Sequence, residues 1–206
     1  MIPVGLGFRA LKGGGVVVGV VMDADAPRTV LSSFLATAAA GDRVALEPYH
    51  VAAEMGRGLH GALAEAKAVI RDGRERQSAL ALSGLDDIIR QLRNAGRKPV
   101  AAALLVNRAA WIGDLLEYSL AFADHPPVAE GLAVRDALRF AFRRAGLEFT
   151  EMDEKSLRDF ASDRLGLKPA DIDLRLKSVG RAAGRPWQKE QKLACLAAWV
   201  ALAARC

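Results

Sequence analysis

The first residues of this sequence that could do chemistry are acids near strand ends. Asp23 and Asp25 close a β-branched run just before Pro27, Glu47 lies about two dozen residues on, and Glu130 heads a long helical pattern. Carboxylates gathered at a sheet edge can hold magnesium, a hard cation that takes oxygen ligands. Two such ions can drive phosphodiester cleavage or phosphotransfer. Asp23, Asp25, Glu47 and Glu130 are therefore the candidate catalytic set of an enzyme reading, and magnesium is expected only under it. Against it, Asp and Pro are the commonest turn residues, and Asp23-Ala24-Asp25-Ala26-Pro27 reads first as a turn.

Glu47, His50 and Glu54 can share one helical face, since His50 and Glu54 are i, i+4 neighbours. A metal site would want a further ligand, and His60 does not share that face cleanly. A helix start with a solvated His–Glu pair is the favoured reading. Gly5-Leu6-Gly7-Phe8-Arg9-Ala10 fits G-x-G-x-x-A, but Lys12-Gly13-Gly14-Gly15 and a valine strand follow it. A dinucleotide fingerprint needs a helix there, so these glycines belong to a hairpin. Ser32 and Ser33 lack a nucleophile elbow, and no phosphate-binding loop of the G-x-x-x-x-G-K-[ST] type occurs.

Arg175, Lys177, Arg181, Arg185, Lys189 and Lys192 form the densest basic segment, and Trp187 lies inside it. Cations there can neutralise phosphates, and an indole can stack on an exposed base. These seven residues are the candidate nucleic-acid contacts. The competing reading is a solvated loop, with Trp187 packing the last helix. Trp111 and Trp199 fall in apolar helical stripes and read as core.

The elements that must position these groups follow from periodicity. Residues 2–10, 16–22 and 28–37 read as three strands joined by short turns, hence an antiparallel meander. Residues 49–70 and 80–94 are helical, the second with a stripe at Leu85, Ile88, Ile89 and Leu92, and Asp72-Gly73-Arg74-Glu75-Arg76 is expected to separate them. Residues 99–106 are almost wholly apolar, the pattern of an interior parallel strand. Helices are expected at 111–122, 129–145 and 151–165, with His125-Pro126-Pro127 ending the first and a short strand at 147–150. A polar, basic stretch covers 168–185, and Pro186 is expected to open a last helix through 204.

Composition bounds the class. The 206 residues are 51% hydrophobic and 26% charged, which is globular rather than disordered. No internal repeat or linker is visible, so residues 1–206 are expected to form one α/β domain. The formal charge of +5 is compatible with a nucleic-acid partner without demanding one. Cys195 and Cys206 make no disulfide framework or CxxC spacing, and the N-terminal residues lack signal-peptide order. The longest apolar run, residues 193–204, has 12 residues and is too short to span a bilayer. A cytoplasmic location without a membrane role is expected. Oligomeric state is not encoded in any pattern here.

This order of elements resembles the ribonuclease H-like superfamily, and RuvC-type Holliday junction resolvases in particular. Val4-Gly5-Leu6-Gly7 followed by residues 13–21 is similar to their first two strands. Glu130-Gly131-Leu132-Ala133, with Ala145-Gly146-Leu147-Glu148-Phe149 after it, resembles their central helix and fifth strand. Gly180-Arg181-Ala182 and Lys189-Glu190-Gln191 resemble a stretch near their C-terminal helix. The resemblance implies an α/β ribonuclease H-like mixed sheet: three antiparallel strands, then alternating helices and strands.

It also implies acids in the first strand, at the end of the fourth and on the last helix. Here those places offer Leu6, Leu105 and their neighbours, and only Glu190 is acidic. One carboxylate cannot hold two metals. The leading expectation is a pseudoenzyme of this fold that associates with nucleic acid or acts as a scaffold, with no cofactor. The alternatives are the enzyme built on the relocated acids, and a protein-interaction module without a nucleic-acid role.

Overall fold

A computed structural model of the chain describes residues 1–24, 26–56, 63–107, 112–121 and 126–205. Asp25, His60, Trp111, His125 and Cys206 lie outside the described residues. Strands β1 (Ile2–Leu11), β2 (Gly14–Asp23) and β3 (Ala26–Ala36) form the expected antiparallel meander. Only Lys12 and Gly13 join the first two, and Gly13 supplies the left-handed backbone (φ 75°) that so tight a turn requires. β4 (Arg97–Val106) pairs parallel to β1, and β5 (Phe149–Asp153) parallel to β4. The order β3-β2-β1-β4-β5 makes β4 interior, as its apolar run predicts.

Alternation along β1 separates two different packing problems. Val4, Leu6 and Phe8 are fully buried toward α3 (Leu63–Asn94) and α5 (Pro126–Arg144). Phe8 meets Phe142 edge-on at 4.8 Å there. The other row is Gly5, Gly7 and Arg9, and α8 (Lys189–Ala203) lies flush on its two glycines. A Cβ at Gly7 would enter the carbonyl of Ala194 and come within 2.7 Å of the Ala198 nitrogen. One at Gly5 would strike the Ala198 carbonyl and lie 2.8 Å from Leu202 Cβ. Helices α6 (Leu157–Leu165) and α7 (Pro169–Ala183) complete that face. Short helices α1 (Arg43–Leu46), α2 (Pro48–Gly56) and α4 (Leu115–Ala121) gather near the far end of β1. Among the described residues no helix is long and apolar enough to cross a membrane.

Four local expectations are corrected. Residues 72–76 do not break the helix, since α3 runs unbroken through them. Gly73 is there because α1 crosses close: a Cβ would hit the Val44 carbonyl and approach Pro48 Cβ to 2.8 Å. Pro126 and Pro127 begin a helix rather than end one, as suits proline in a first turn. The basic stretch is mostly helix α7, whose Ile172, Leu176 and Val179 form a buried stripe hidden in sequence by the surrounding charge. The last helix starts at Lys189, after a capping box in which Gln188 and Gln191 bond each other's backbone.

Candidate functional site

The carboxyl-terminal ends of β1, β4 and β5 converge beside the first turn of α8, and Arg9 stands at that convergence. It is the next residue after Gly7 in the row that faces α8, paired in register with Leu105 of β4. Its Nε and Nη2 each donate at 2.9 Å to the two carboxylate oxygens of Glu154, just beyond β5. Its Nη1 reaches Oε1 of Glu190 in the first turn of α8 at 3.5 Å. The three side chains are only 17–28% exposed. A bidentate guanidinium–carboxylate pair in so enclosed a place is a strong, directional contact. The positive end of α8 adds a favourable field for Glu190.

Beside this cluster, a pocket of about 480 Å³ is lined by Lys12, Glu47, His50, Asn107, Glu130 and Arg135, with Leu11 and prolines of α5 as apolar wall. Glu130 is 4% exposed. Its Oε1 accepts from the backbone amides of Tyr49 (2.8 Å) and His50 (2.9 Å) in the first turn of α2. Its Oε2 is buried with no partner among the described residues. Burial pushes its carboxyl up to about 7, while the two amides pull the other way and Glu47 adds to the rise. Glu47 is held below the usual range by Lys12 at 2.6 Å and Arg43 at 2.9 Å. Arg43 also bonds Glu54 at 2.7 Å, and His50 lies 3.2 Å from the same carboxylate, the solvated pair expected. Arg135 donates to Asn107 Oδ1 at 3.0 Å, and its Nε is buried without a partner among the described residues.

Among the described residues, the candidate acids Asp23, Glu47 and Glu130 are not brought together as a set. Asp23 ends β2, 68% exposed and 3.2 Å from Arg28. The antiparallel register places Gly14, not Asp23, beside Leu11, so Asp23 is a strand's length, roughly 30 Å, from the Lys12–Glu47 pair. Of the three described acids, Glu47 and Glu130 line one pocket and Asp23 does not join them; Asp25 lies outside the described residues.

The basic candidates are better grouped. Lys177, Arg181, Arg185, Trp187 and Lys192 line one groove of about 870 Å³ between α7 and α8. Asp173, which also lines it, is ion-paired to Arg158 rather than to those cations. Arg175 instead lies over the Trp199 ring, 5.8 Å from its centroid, and Lys189 does not belong to the lining. Trp187 packs its indole on Gly180, where a Cβ would collide with it, so one ring edge is committed to the α7–α8 contact. Trp199 is core, as expected, at 2% exposure.

No protein-family model matches this sequence, and no curated protein matches it. In three dimensions the chain is similar to a structure of Thermus thermophilus RuvC, with 11% identity, a TM-score of 0.52, and 97% of this chain covering 92% of that one. A second Thermus thermophilus structure, RuvC in complex with Holliday junction substrate, matches at 10% identity and TM-score 0.53, over the same shares. The yeast mitochondrial Holliday junction resolvase matches at 9% identity and TM-score 0.43, covering 97% of this chain and 80% of that one.

The fold is ribonuclease H-like, of the RuvC type.

On this RuvC-type frame the residues present do not fit the paired magnesium ions that the resemblance implies. Leu6, the first-strand position considered from sequence, faces α3 and α5 and not the last helix. The position beyond Gly7 on the α8 side is Arg9, a cation, and the two acids near it are already bonded to it. Among the described residues no group of three His, Cys, Asp or Glu side chains could hold a metal. Sequence reasoning missed Arg9 and Glu154. The signal was the two-residue alternation Val4/Leu6/Phe8 against Gly5/Gly7/Arg9, which puts Arg9 on the glycine row; that this row faces α8 is shown by the structure. The buried Cys195, its thiol pushed up to about 12 by burial, is packing and not a nucleophile.

Proposed function

We propose that this protein associates with nucleic acid on a RuvC-type frame and does not cut it, acting as a binding or scaffolding component. The observation that carries the reading is Arg9: a guanidinium bonded to both Glu154 and Glu190 supplies internally the positive charge that a metal would bring to those acids. The groove supports the binding half of the reading, because four of its lining residues are cations. Phosphate neutralisation by such residues is sequence-independent and salt-sensitive.

The test uses a four-way DNA junction, chosen because one similar structure holds a Holliday junction, together with plain duplex. Anisotropy titrations over a salt series are expected to give a log–log slope of about −3 to −4, from roughly 0.9 per neutralised phosphate. Arg181→Ala with Arg185→Ala should make it shallower by about two. Magnesium or manganese should produce no cleavage. Absence of binding at low salt would overturn the reading and favour a protein partner. Cleavage abolished by Glu47→Gln or Glu130→Gln would replace it with the relocated-acid enzyme.

A further inference from the structure

The pocket beside the Arg9 cluster is separate from the groove and holds two groups whose bonding is unfinished. Arg135 is half-buried on α5, anchored by Asn107, and no carboxylate among the described residues comes within ion-pair distance; Glu151 and Glu154 act on it only from further off. Burying a cation without a counter-charge is costly, and an anionic ligand is the direct remedy. The other charges at the rim are largely matched, Lys12 with Glu47. A guanidinium fork suits a phosphate in particular.

The second unfinished group is Glu130 at the base of the same pocket. Its surroundings oppose ionisation, so below about pH 7 it offers a carboxylic acid able both to donate and to accept. That is the complement of a neutral polar edge and not of a cation, which Arg135 and Lys12 would repel. Leu11, Pro126 and Pro127 give the pocket an apolar wall. The volume of about 480 Å³ is within the range of small-molecule sites.

We infer that this pocket binds a nucleoside monophosphate unit, its phosphate on Arg135, its ring against the proline wall and its polar edge toward Glu130. The unit could come as a free nucleotide or as the phosphorylated end of a strand.

The experiment is calorimetric titration of the full chain with the four common nucleoside monophosphates, with inorganic phosphate and unphosphorylated nucleosides as controls. At least one nucleotide should bind about tenfold or more tightly than either control, the scale of one charge-assisted contact. Arg135→Met should remove that advantage. Gly131→Leu supplies an independent block, because Gly131 lines the pocket and a Cβ there meets nothing within 4 Å, so the fold is left intact. Binding should weaken as pH rises through about 7 in the wild type and lose that dependence in Glu130→Gln. Among the described residues the groups facing Glu130 are Tyr49 and His50 of α2, Glu47 after α1, Lys12 before β2 and Arg135 on its own helix. A pH dependence that persists in Glu130→Gln would count against the assignment. Competition by a 5′-phosphorylated oligonucleotide identifies a strand end, and its failure a free nucleotide. Phosphate binding as tightly as every nucleotide, or nucleotide binding unchanged in both Arg135→Met and Gly131→Leu, would overturn the inference. The groove variant Arg181→Ala/Arg185→Ala should bind nucleotide normally, so failure of the groove and failure of the pocket are read separately.

Discussion

Two groups of charges sit side by side at the same end of the sheet and are finished to different degrees. In the Arg9 cluster, one guanidinium bonds two carboxylates that arrive from β5 and α8. In the neighbouring pocket, Glu130 has one oxygen without a partner and Arg135 has no carboxylate within ion-pair distance among the described residues. The cluster needs nothing from outside, and it ties β1, β5 and the last helix together. The pocket is left with capacity that a ligand can use. Charge density alone would not separate the two; the difference lies in whether each donor and acceptor already has its partner.

The comparison breaks first at Gly7. Gly7→Asp would place an acid in the row that faces α8, but the side chain has no room against Ala194 and Ala198. Overpacking and a buried charge together should cost more than about 4 kcal/mol, so the variant is expected not to accumulate as folded protein. A cooperative melt close to that of the wild type would show that α8 can lift off β1 and that the cluster is open to change from outside.

A second, smaller effect concerns the pocket and depends on pH. Glu130 is raised from 4.5 to about 7 in the folded state. Above pH 4.5 the unfolded chain gives up this proton while the folded chain keeps it, so folding stability from this group falls as pH rises from 4.5 to about 7. The loss is on the order of 3 kcal/mol. Denaturant titrations of wild type and Glu130→Gln across that window should diverge in this direction. Asp42 and Glu54, whose carboxyls are lowered, pull the opposite way in both proteins and cancel in the difference. Parallel curves would mean that Glu130 finds a full set of partners.

The smallest change is expected at the cluster's own centre. Arg9→Met keeps the stem and removes the fork, leaving Glu154 and Glu190 facing each other. The cost should be about 2 kcal/mol, the scale of hydrogen bonds to charged groups in a partly exposed place. Glu154→Gln with Glu190→Gln in the same background should recover some of it, because the two freed acids then no longer repel. No recovery would assign the loss to packing of the arginine stem and not to charge.

The order of elements, the meander, the interior strand and the helix stripe at Leu85, Ile88 and Leu92 were legible in the sequence. They depend on local periodicity, which chain position alone expresses. The gathering of Lys177, Arg181, Arg185 and Lys192 into one groove was half legible. Their proximity in sequence was plain, but the sides of α7 and α8 on which they fall depend on where each helix begins.

What only the tertiary structure decided is which distant residues meet. Asp23 and Glu47 look equally available in the sequence, yet the antiparallel register sends them to opposite ends of the sheet. Gly73 reads as a helix breaker and is instead the place where α1 crosses α3. Arg9 reads as one cation in an apolar strand, and its partners are 145 and 181 residues away. Composition and periodicity are properties of neighbours along the chain, so they fix the elements. An ion pair between a first strand, the end of a fifth and the start of a last helix exists only once the sheet order and the seating of α8 on Gly5 and Gly7 have set those three ends beside one another.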